Sequence, residues 1–333
     1  MLVVLREVPI APDDNAAFPP LLLIFNAMSV IVEQLTKEYG AQKAVNNISF
    51  EVRQGEIVGF LGPNGAGKST TLKIATSFLP PTSGSVIVGG FDVTLNPMSV
   101  KRITGYLPEH NPLYLDLYVH EYLSFVGKLY GLHGARLKQR VGEMITLCGL
   151  TREQNKRIEN LSKGYRQRIG LAQALIHDPK VLILDEPTSG LDPNQLVEIR
   201  KLIRDISVNK TVIFSTHIMQ EVEAICERVV VINKGEIVAN DRLENLLRQQ
   251  GSRASVIVEF ESPISADDLE AIPGVEASVD LGANRYRIYY QSGVDIRPEI
   301  FRYAADRRLS LIGLKQEENS LENIFRELTV GKG

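Results

Sequence analysis

One short stretch constrains the fold more than any other part of the chain: Gly62-Pro63-Asn64-Gly65-Ala66-Gly67-Lys68-Ser69-Thr70. The apolar run Ile57–Leu61 precedes it, and the helix-like segment Thr71–Ala75 follows it. A glycine-rich loop between a strand and a helix is the context of a phosphate-binding P-loop. Its glycines let successive backbone N–H groups point at a phosphate, and the helix adds unpaired N–H donors. The pattern therefore predicts a nucleotide site rather than an ordinary turn, with Lys68 reaching the β- and γ-phosphates and Ser69 ligating Mg²⁺.

The length, charge and cysteine content of the chain narrow the classes of protein that fit. Its 333 residues suggest about two domains, and a hydrophobic content of 44% is sufficient for a sizeable core. The formal net charge of -3 argues against a nucleic-acid-binding protein, which usually carries a basic surface. Cys148 and Cys226 are far apart and belong to no ligand-spaced cluster. We therefore expect neither a zinc site nor a disulfide framework, and a reducing compartment fits.

Residues 1–28 are expected to form a disordered N-terminal extension outside the fold, with Met28 as an alternative start. The apolar run in this segment, Leu21–Phe25, is much shorter than the roughly 20 residues that span a bilayer. It also makes a poor signal peptide, because acidic rather than basic residues precede it. A short interfacial anchor is the alternative interpretation.

Two further strands carry polar side chains at their carboxyl ends. The apolar run Val181–Leu184 is typical of a strand buried on both faces of a parallel sheet, and Asp185 and Glu186 follow it. Thr211–Ser215 is a second such run, with His217 just beyond it. Ligands bind at this edge of α/β sheets, so we predict that Asp185 supports Mg²⁺ and that Glu186 polarises the attacking water. Helix capping is the alternative for the acidic pair, and His217 is either a γ-phosphate contact or a structural histidine.

An aromatic residue upstream of the P-loop is a candidate for contact with the base. Val30–Leu35 is predicted to be a strand and Thr36–Gly40 the turn that follows it, and Tyr39 lies in this turn. The Tyr39 ring either stacks on adenine or is a half-buried strand-end aromatic, and position alone favours neither.

The remainder of the chain divides into a helical block and a C-terminal module. Apolar residues at spacings of three and four predict a helical subdomain over about residues 115–175. Beyond residue 250, the predicted order β-α-β-β-α-β, closed by a helix at Ser320–Leu328, suggests a ferredoxin-like module. The predicted fold class is α/β: a P-loop NTPase core with a mixed sheet over 29–250, then a small α+β domain over 251–333. We expect the C-terminal domain to be regulatory or dimer-forming rather than catalytic.

The motifs occur in the order of one family, and about residues 29–248 resemble the ATP-binding subunits of ABC transporters. The segments that carry the resemblance are, in chain order, Walker A at Gly62–Thr70, a Q-loop-like Tyr106-Leu107-Pro108-Glu109, a signature-like Leu161-Ser162-Lys163-Gly164-Tyr165-Arg166-Gln167-Arg168, Walker B at Val181–Glu186, a D-loop at Ser189-Gly190-Leu191-Asp192 and an H-loop at Ser215-Thr216-His217. Tyr106–Tyr114 looks like the gliding-motility-associated ATPases of this family, and the tail Asn319–Phe325 is similar to that of export-type ATPases with a C-terminal accessory domain.

The resemblance implies a role for each matching residue. Glu186 would be the catalytic base and His217 the γ-phosphate sensor, while Ser69, Glu109 and Asp185 would place Mg²⁺. The residues that would contact ATP are Tyr39 at the adenine, Gly62, Pro63, Asn64, Gly65, Ala66, Gly67, Lys68, Ser69 and Thr70 at the phosphates, and Ser162 and Gly164 at the γ-phosphate held by the opposite subunit. Since each chain has one signature, two chains would be needed, as a homodimer or a related heterodimer.

Three positions depart from the pattern of the family. Glu109 stands where glutamine is usual, which keeps an oxygen for metal or water but adds a negative charge. In the signature, Lys163 replaces a glycine and Tyr165 replaces a glutamine. Ser162 and Gly164 remain, so we expect a working but altered cap on the phosphate.

The resemblance implies an ATPase motor that drives a substrate across a membrane through a separate transmembrane permease. The subunit would be cytoplasmic and peripheral on the inner face of the cell membrane, with no nucleic acid as partner. The aromatic region from Tyr114 to Tyr130 is the expected docking surface. The alternative is a soluble ABC-type ATPase that acts on ribosomes or DNA. Such relatives typically carry two cassettes or a coiled-coil insertion, whereas this chain has one cassette and no heptad run.

Overall fold

A computed structural model describes residues 28–208, 210–250, 253–291, 294–317, 322 and 325. The strands of these residues are β1 (Met28–Tyr39), β2 (Gln42–Arg53), β3 (Ile57–Leu61), β4 (Ser83–Val88), β5 (Phe91–Asp92), β6 (Thr104–Leu107), β7 (Val181–Asp185), β8 (Thr211–Thr216), β9 (Arg228–Asn233), β10 (Glu236–Arg242), β11 (Arg253–Phe260), β12 (Val275–Gly282), β13 (Arg285–Gln291) and β14 (Leu311–Glu317). The helices are α1 (Lys68–Ala75), α2 (Pro97–Ile103), α3 (Val119–Leu129), α4 (Gly134–Leu147), α5 (Lys163–Leu175), α6 (Pro193–Ile206), α7 (Met219–Ile225), α8 (Leu243–Gln250), α9 (Ala266–Glu270) and α10 (Arg297–Asp306), with a 3₁₀ turn at Ile158–Asn160.

Of the extension predicted for residues 1–28, only Met28 is described, and it is the first residue of β1. Of the closing helix predicted at 320–328, only residues 322 and 325 are described. Within the part of the chain that the structure describes, no helix combines the length and the apolar character that crossing a membrane requires.

The central sheet has the strand order β10-β9-β3-β8-β7-β6 and is parallel except for β10. Strand β7 is buried on both faces, because side chains alternate across a strand. Val181 and Ile183 pack into one hydrophobic core, and Leu182 and Leu184 pack into the other. The predicted mixed sheet is confirmed. Its parallel strands end at one edge, where the P-loop, Glu186 and His217 follow β3, β7 and β8.

An antiparallel sheet of order β2-β1-β4-β5 supplies the other wall of one of these cores. The turn predicted at Thr36–Gly40 is wrong for its first four residues, since β1 continues to Tyr39 with shifts in its register against β2. The Thr36 hydroxyl accepts a hydrogen bond from Asn47 N at 3.0 Å, and Thr82 N donates to Thr36 O at 2.9 Å. These side-chain and cross-strand bonds hold an irregular strand where turn-forming residues suggested a break.

The helices between Val119 and Leu175 lie where the sequence predicts a helical block. Their apolar faces share one core with the central sheet, and its members here include Tyr122, Leu123, Val141, Met144 and Ile169. Helix α2, which was not predicted, begins at Pro97 after Asn96 and ends at Ile103, directly before β6.

The C-terminal elements form a separate antiparallel sheet of order β12-β13-β11-β14, with α9 and α10 between its strands in the chain. This order and the β-α-β-β-α-β sequence are those of a ferredoxin-like module. Its own hydrophobic core includes Val258, Phe260, Tyr286, Ile288 and Ile300. The division of the chain into domains at residue 250, and a regulatory or dimer-forming role for the second one, stay predictions.

Candidate functional site

A cavity of about 480 Å³ opens at the carboxyl edge of the central sheet. Its walls come from the P-loop and from four other segments, and the lining residues are Gln42, Ala44, Asn64, Gly65, Gly67, Lys68, Ser69, Thr70, Glu109, Glu186, Ser189 and His217. The fold therefore brings together residues that are up to 175 positions apart in the sequence, as judged from Gln42 and His217. Sequence reasoning missed Gln42, Ala44 and Ser189 as members of this wall.

The shape of the P-loop depends on glycine at two positions. Gly67 has a φ of 108°, and a Cβ there would lie 2.5 Å from Ala44 O. A Cβ on Gly62 would lie 2.4 Å from Ile232 O. Gly62, Pro63 and Ala66 do not line the cavity; Ala66 is buried, and Gly62 N donates to Thr216 O at 3.4 Å. These three residues support the loop from behind, while the others face the cavity.

The ammonium group of Lys68 is buried at the floor of the loop, with only 5% of the residue exposed. Its Nζ donates to Gly62 O at 2.7 Å and to Pro63 O at 3.2 Å, and it lies 3.3 Å from Glu186 Oε1. A buried cation needs such partners, because an unpaired charge in an apolar interior is costly. Lys68 therefore holds a positive charge directly below the loop backbone.

Glu186 lies between this cation and the histidine of the next strand. Its Oε2 accepts from His217 Nδ1 at 2.9 Å. Its backbone is left-handed, with a φ of 49°, which costs a non-glycine residue about 1–2 kcal/mol. Glu186 N donates to the Ser215 carbonyl at 3.2 Å and to Ser215 Oγ at 3.1 Å, and these bonds hold the strained turn. The turn redirects the chain after β7 so that the carboxylate reaches the cavity.

Asp185 and Ser69 form a pair of oxygen donors beside the loop. Asp185 Oδ1 accepts from Ser69 Oγ at 3.1 Å and from Ser215 Oγ at 2.6 Å. Burial raises the pKa of Asp185, and the negative charges of Glu109 and Glu186 raise it further, while the two serine hydrogen bonds oppose the shift. A cation placed here would offset the cost of the buried negative charge.

These donors fit a magnesium ion that is bound together with a nucleotide. No group of three or more potential ligands of the His, Cys, Asp or Glu type occurs among the described residues. Mg²⁺ usually takes only one or two carboxylates from the protein and fills its other positions with phosphate oxygens and water. The hydroxyl of Ser69 and the carboxylate of Asp185 are hard oxygen ligands of the required kind.

Glu109 borders both the nucleotide-sized cavity and a second cavity of about 400 Å³ beside it. The second cavity is also lined by Ser69, Tyr106 and Asp185. Burial raises the pKa of Tyr106, and the charges of Asp185 and Glu109 add to this shift. A carboxylate in place of the usual amide therefore makes this corner more negative, which favours a cation between Glu109 and Asp185.

Besides the three P-loop residues behind the loop and Asp185, which lines only the second cavity, three predicted residues do not line the first cavity: Tyr39, Ser162 and Gly164. Tyr39 lies at its rim and is 49% exposed; its strand partner Gln42 lines the wall, and the Lys37 ammonium lies 5.4 Å from the Tyr39 ring centre. Ser162 and Gly164 lie at the start of α5 and outside the cavity lining; Ser162 is exposed, whereas Gly164 is buried.

The turn from Ser162 to Gly164 contacts the first turn of α6 and the segment before it within the same chain. Ser162 Oγ lies 3.5 Å from Tyr165 N, and a Cβ on Gly164 would lie 2.7 Å from the Gln195 side chain. The Lys163 ammonium lies against Gly190, where it would be 2.2 Å from an added Cβ. Lys163, which replaces the usual glycine, therefore packs on the D-loop-like segment of its own chain.

Ser215 is a site residue that sequence reasoning did not single out. Its hydroxyl donates to Asp185 Oδ1 and accepts from Glu186 N, so it joins the two acidic residues. It lies at the carboxyl end of β8, so the rule that identified His217 also applies to it.

Comparison with known proteins identifies the family. The ABC transporter domain family matches residues 45–189. The linearmycin resistance ATP-binding protein LnrL of Bacillus subtilis is 33% identical over 89% of this chain and 97% of its own length. The bacitracin transport ATP-binding protein BcrA of Bacillus licheniformis is 32% identical over 91% and 99%. A dimeric structure of the ATP-binding cassette MJ0796 bound to ADP and Pi matches with a TM-score of 0.60 and 26% identity, over 64% of this chain and 98% of that one. The likeness to LnrL and BcrA extends over nearly the whole of each protein, and this chain therefore belongs to the ATP-binding, ATP-hydrolysing subunits of ABC transporters.

Proposed function

We propose that Glu186 is the general base of the ATPase reaction that this subunit uses to drive transport. The observation that carries the proposal is the position of its carboxylate at the cavity wall, 3.3 Å from Lys68 Nζ and 2.9 Å from His217 Nδ1. A carboxylate held by two partners is fixed in direction, and a fixed base beside the phosphate site can take a proton from an attacking water. Lys68 would turn to the β- and γ-phosphates when ATP binds, which would free one Glu186 oxygen.

The other predicted residues would each contact a different part of ATP or its metal ion. The P-loop backbone from Gly62 to Thr70 would hold the phosphates, His217 would contact the γ-phosphate, and Tyr39 would stack on adenine from the rim. Ser69 and Asp185, with Glu109 opposite, would hold Mg²⁺. Bound there, Mg²⁺ would supply positive charge to the phosphate oxygens. The chain's own task is to place those oxygen ligands beside the phosphates.

The position of the signature turn supports a site built from two chains. Ser162 and Gly164 lie outside the cavity of their own chain, and Ser162 is exposed. A second copy or a related subunit, in the opposite orientation, would place this turn over the phosphate. Lys163 would bring a positive charge to the same interface. The MJ0796 cassette, which is dimeric in its complex with ADP and Pi, is compatible with this arrangement.

The subunit would bind a separate transmembrane permease and transmit its conformational change to it. In this complex the subunit would lie at the inner face of the cell membrane. Exposed aromatic side chains support a docking surface near the helical block; they are Tyr114, Tyr118, Phe125 and Tyr130. Tyr114 also packs on Tyr122 and Phe125, with ring centres 6.0 and 5.6 Å apart, so part of this surface is already rigid.

The names of the two relatives that match along nearly their full length refer to linearmycin resistance and to bacitracin transport, and they favour a role in the transport of compounds of this kind. We propose this substrate class in preference to gliding motility, which rests only on the segment Tyr106–Tyr114. The matches to LnrL and BcrA also extend past residue 250, which supports an accessory C-terminal domain shared with these two proteins. Both named relatives belong to transport or resistance systems, so an action on ribosomes or DNA is not favoured.

The proposal is tested by Glu186→Gln in the full chain, with Glu227→Gln as a matched control on an exposed carboxylate outside the cavity. Loss of a general base slows turnover by about 100-fold or more, and the amide keeps the shape of the site. We expect Glu186→Gln to bind ATP, to hydrolyse it at a rate lower by this factor, and to form an ATP-bound dimer that size-exclusion chromatography detects. Normal hydrolysis by Glu186→Gln would show that another residue is the base.

A further inference from the structure

The carboxylate of Glu221 is fully buried, with 0% of the residue exposed, and it does not line the nucleotide cavity. Its Oε2 accepts from Thr216 Oγ1 at 2.6 Å. Its Oε1 lies 3.8 Å from Arg200 Nη2 and has no hydrogen-bond partner within the described residues. Burial of a carboxylate with so few partners lowers the stability of the folded state, which suggests that Glu221 has a functional role.

The partner of Glu221 is the residue immediately before His217. Because the Thr216 hydroxyl gives its single proton to Glu221, its oxygen is left to accept from Ile218 N, at 3.0 Å. The Thr216 carbonyl also accepts from Gly62 N, the first residue of the P-loop. The backbone on both sides of His217 is therefore tied down by one hydroxyl whose direction Glu221 sets.

Arg200 connects the same carboxylate to a different element. It lies on α6, which begins at Pro193 directly after the D-loop-like segment that contributes Ser189 to the cavity. The Arg200 side chain is 21% exposed, and its Nε is buried without a hydrogen-bond partner among the described residues. Contacts thus connect Arg200 on α6 to Glu221, and Glu221 to Thr216, which directly precedes His217.

We infer that Glu221 is a positioning residue for ATP hydrolysis, which acts through Thr216 to hold the His217 ring against Glu186 and which links that position to helix α6 through Arg200. The inference rests on the proposed role of His217 at the γ-phosphate. It differs from a purely structural role, because it predicts a loss of turnover that is separate from any loss of ATP affinity or folding.

The test uses Thr216→Val, which keeps the volume and removes the hydroxyl, and Thr216→Ser, which restores the hydroxyl. Hydrogen-bond partners that orient metal-ligating side chains are typically worth about 10- to 100-fold in affinity or activity, and we expect an effect at the lower end for the partner of His217. We expect Thr216→Val to lower kcat about tenfold with an ATP Kd within about twofold of the wild type, and Thr216→Ser to recover most of the rate. Glu221→Gln, which keeps an oxygen acceptor but loses the charge opposite Arg200, should also lower kcat, and it serves as the test if Thr216→Val does not fold.

The inference would be overturned if the kcat of Thr216→Val were within twofold of the wild-type value. It would also be overturned if the Kd for ATP rose by the same factor by which kcat fell. His217→Ala separates this result from the proposed function. If His217→Ala slows hydrolysis while Thr216→Val does not, only the role of Glu221 fails. If His217→Ala hydrolyses ATP normally, the proposed role of His217 fails, and the inference fails with it.

Discussion

At the scale of single residues, the site depends on backbone conformations that few side chains tolerate. Gly67 is left-handed and has a carbonyl 2.5 Å from the place of a Cβ. Glu186 accepts a left-handed backbone without being glycine, which is a strain that functional sites often hold. The P-loop pattern identifies Gly67 from the sequence, because the motif requires glycine at this position. The left-handed φ of Glu186 could not be predicted in the same way, because glutamate as a residue type does not indicate such a conformation.

Gly67→Ala should therefore lower the free energy of unfolding by at least about 1–2 kcal/mol and weaken ATP binding. The control is Gly142→Ala in α4, where a Cβ meets nothing within 4 Å. A glycine in a helix costs roughly 0.5–1 kcal/mol relative to alanine, so this change should stabilise the protein. Chemical denaturation and nucleotide titration measure both effects; equal responses of the two variants would disprove the conformational role of Gly67.

At the scale of elements, sequence patterns predicted the strands and helices best where burial is uniform. Strand β7 was predicted because all its residues are apolar up to Asp185, and both of its faces do pack into cores. The end of β1 was mistaken for a turn, because its irregular pairing is held by the Thr36 hydroxyl and by bonds to Thr82, which are distant in sequence. Gln42 reaches the cavity wall through similar long-range folding, and no local pattern marks it, whereas Ser189 belongs to the D-loop-like segment, although the pattern did not place it in this wall.

Two helix N-caps provide a test at this scale. Asp192 caps α6 by accepting from Gln195 N at 3.0 Å, whereas Ser162 at α5 is 3.5 Å from Tyr165 N, which makes a weak bond at best. Asp192→Ala should cost about 1 kcal/mol of stability. Ser162→Ala should change stability by much less but should slow ATP turnover, because we propose that its hydroxyl contacts the phosphate bound by the partner subunit. Thermal unfolding and ATPase assays compare the pair, and a stability loss in Ser162→Ala as large as in Asp192→Ala would argue for a capping role only.

At the scale of the whole molecule, the two segments of the proposed shared site lie apart within one chain. The P-loop cavity carries Lys68 and Glu186, and the signature turn at Ser162 lies outside its lining. The sequence motifs predicted both segments, and the fold adds that Ser162 and Gly164 do not line the cavity of their own chain. Two copies in opposite orientation with two-fold symmetry would complete two sites at once, which is the common arrangement of soluble dimers.

Mixing two inactive variants of the full chain tests this shared site directly. Lys68→Ala destroys the P-loop half, and Ser162→Asp places a negative charge at the signature half while keeping a good helix cap. Each variant alone should be almost inactive. In an equal mixture that exchanges subunits freely, about half of the dimers contain one intact site, so about a quarter of all sites should be restored and ATP hydrolysis should return. Hydrolysis in the mixture no greater than the sum of the two separate variants would show that the site is complete within one chain.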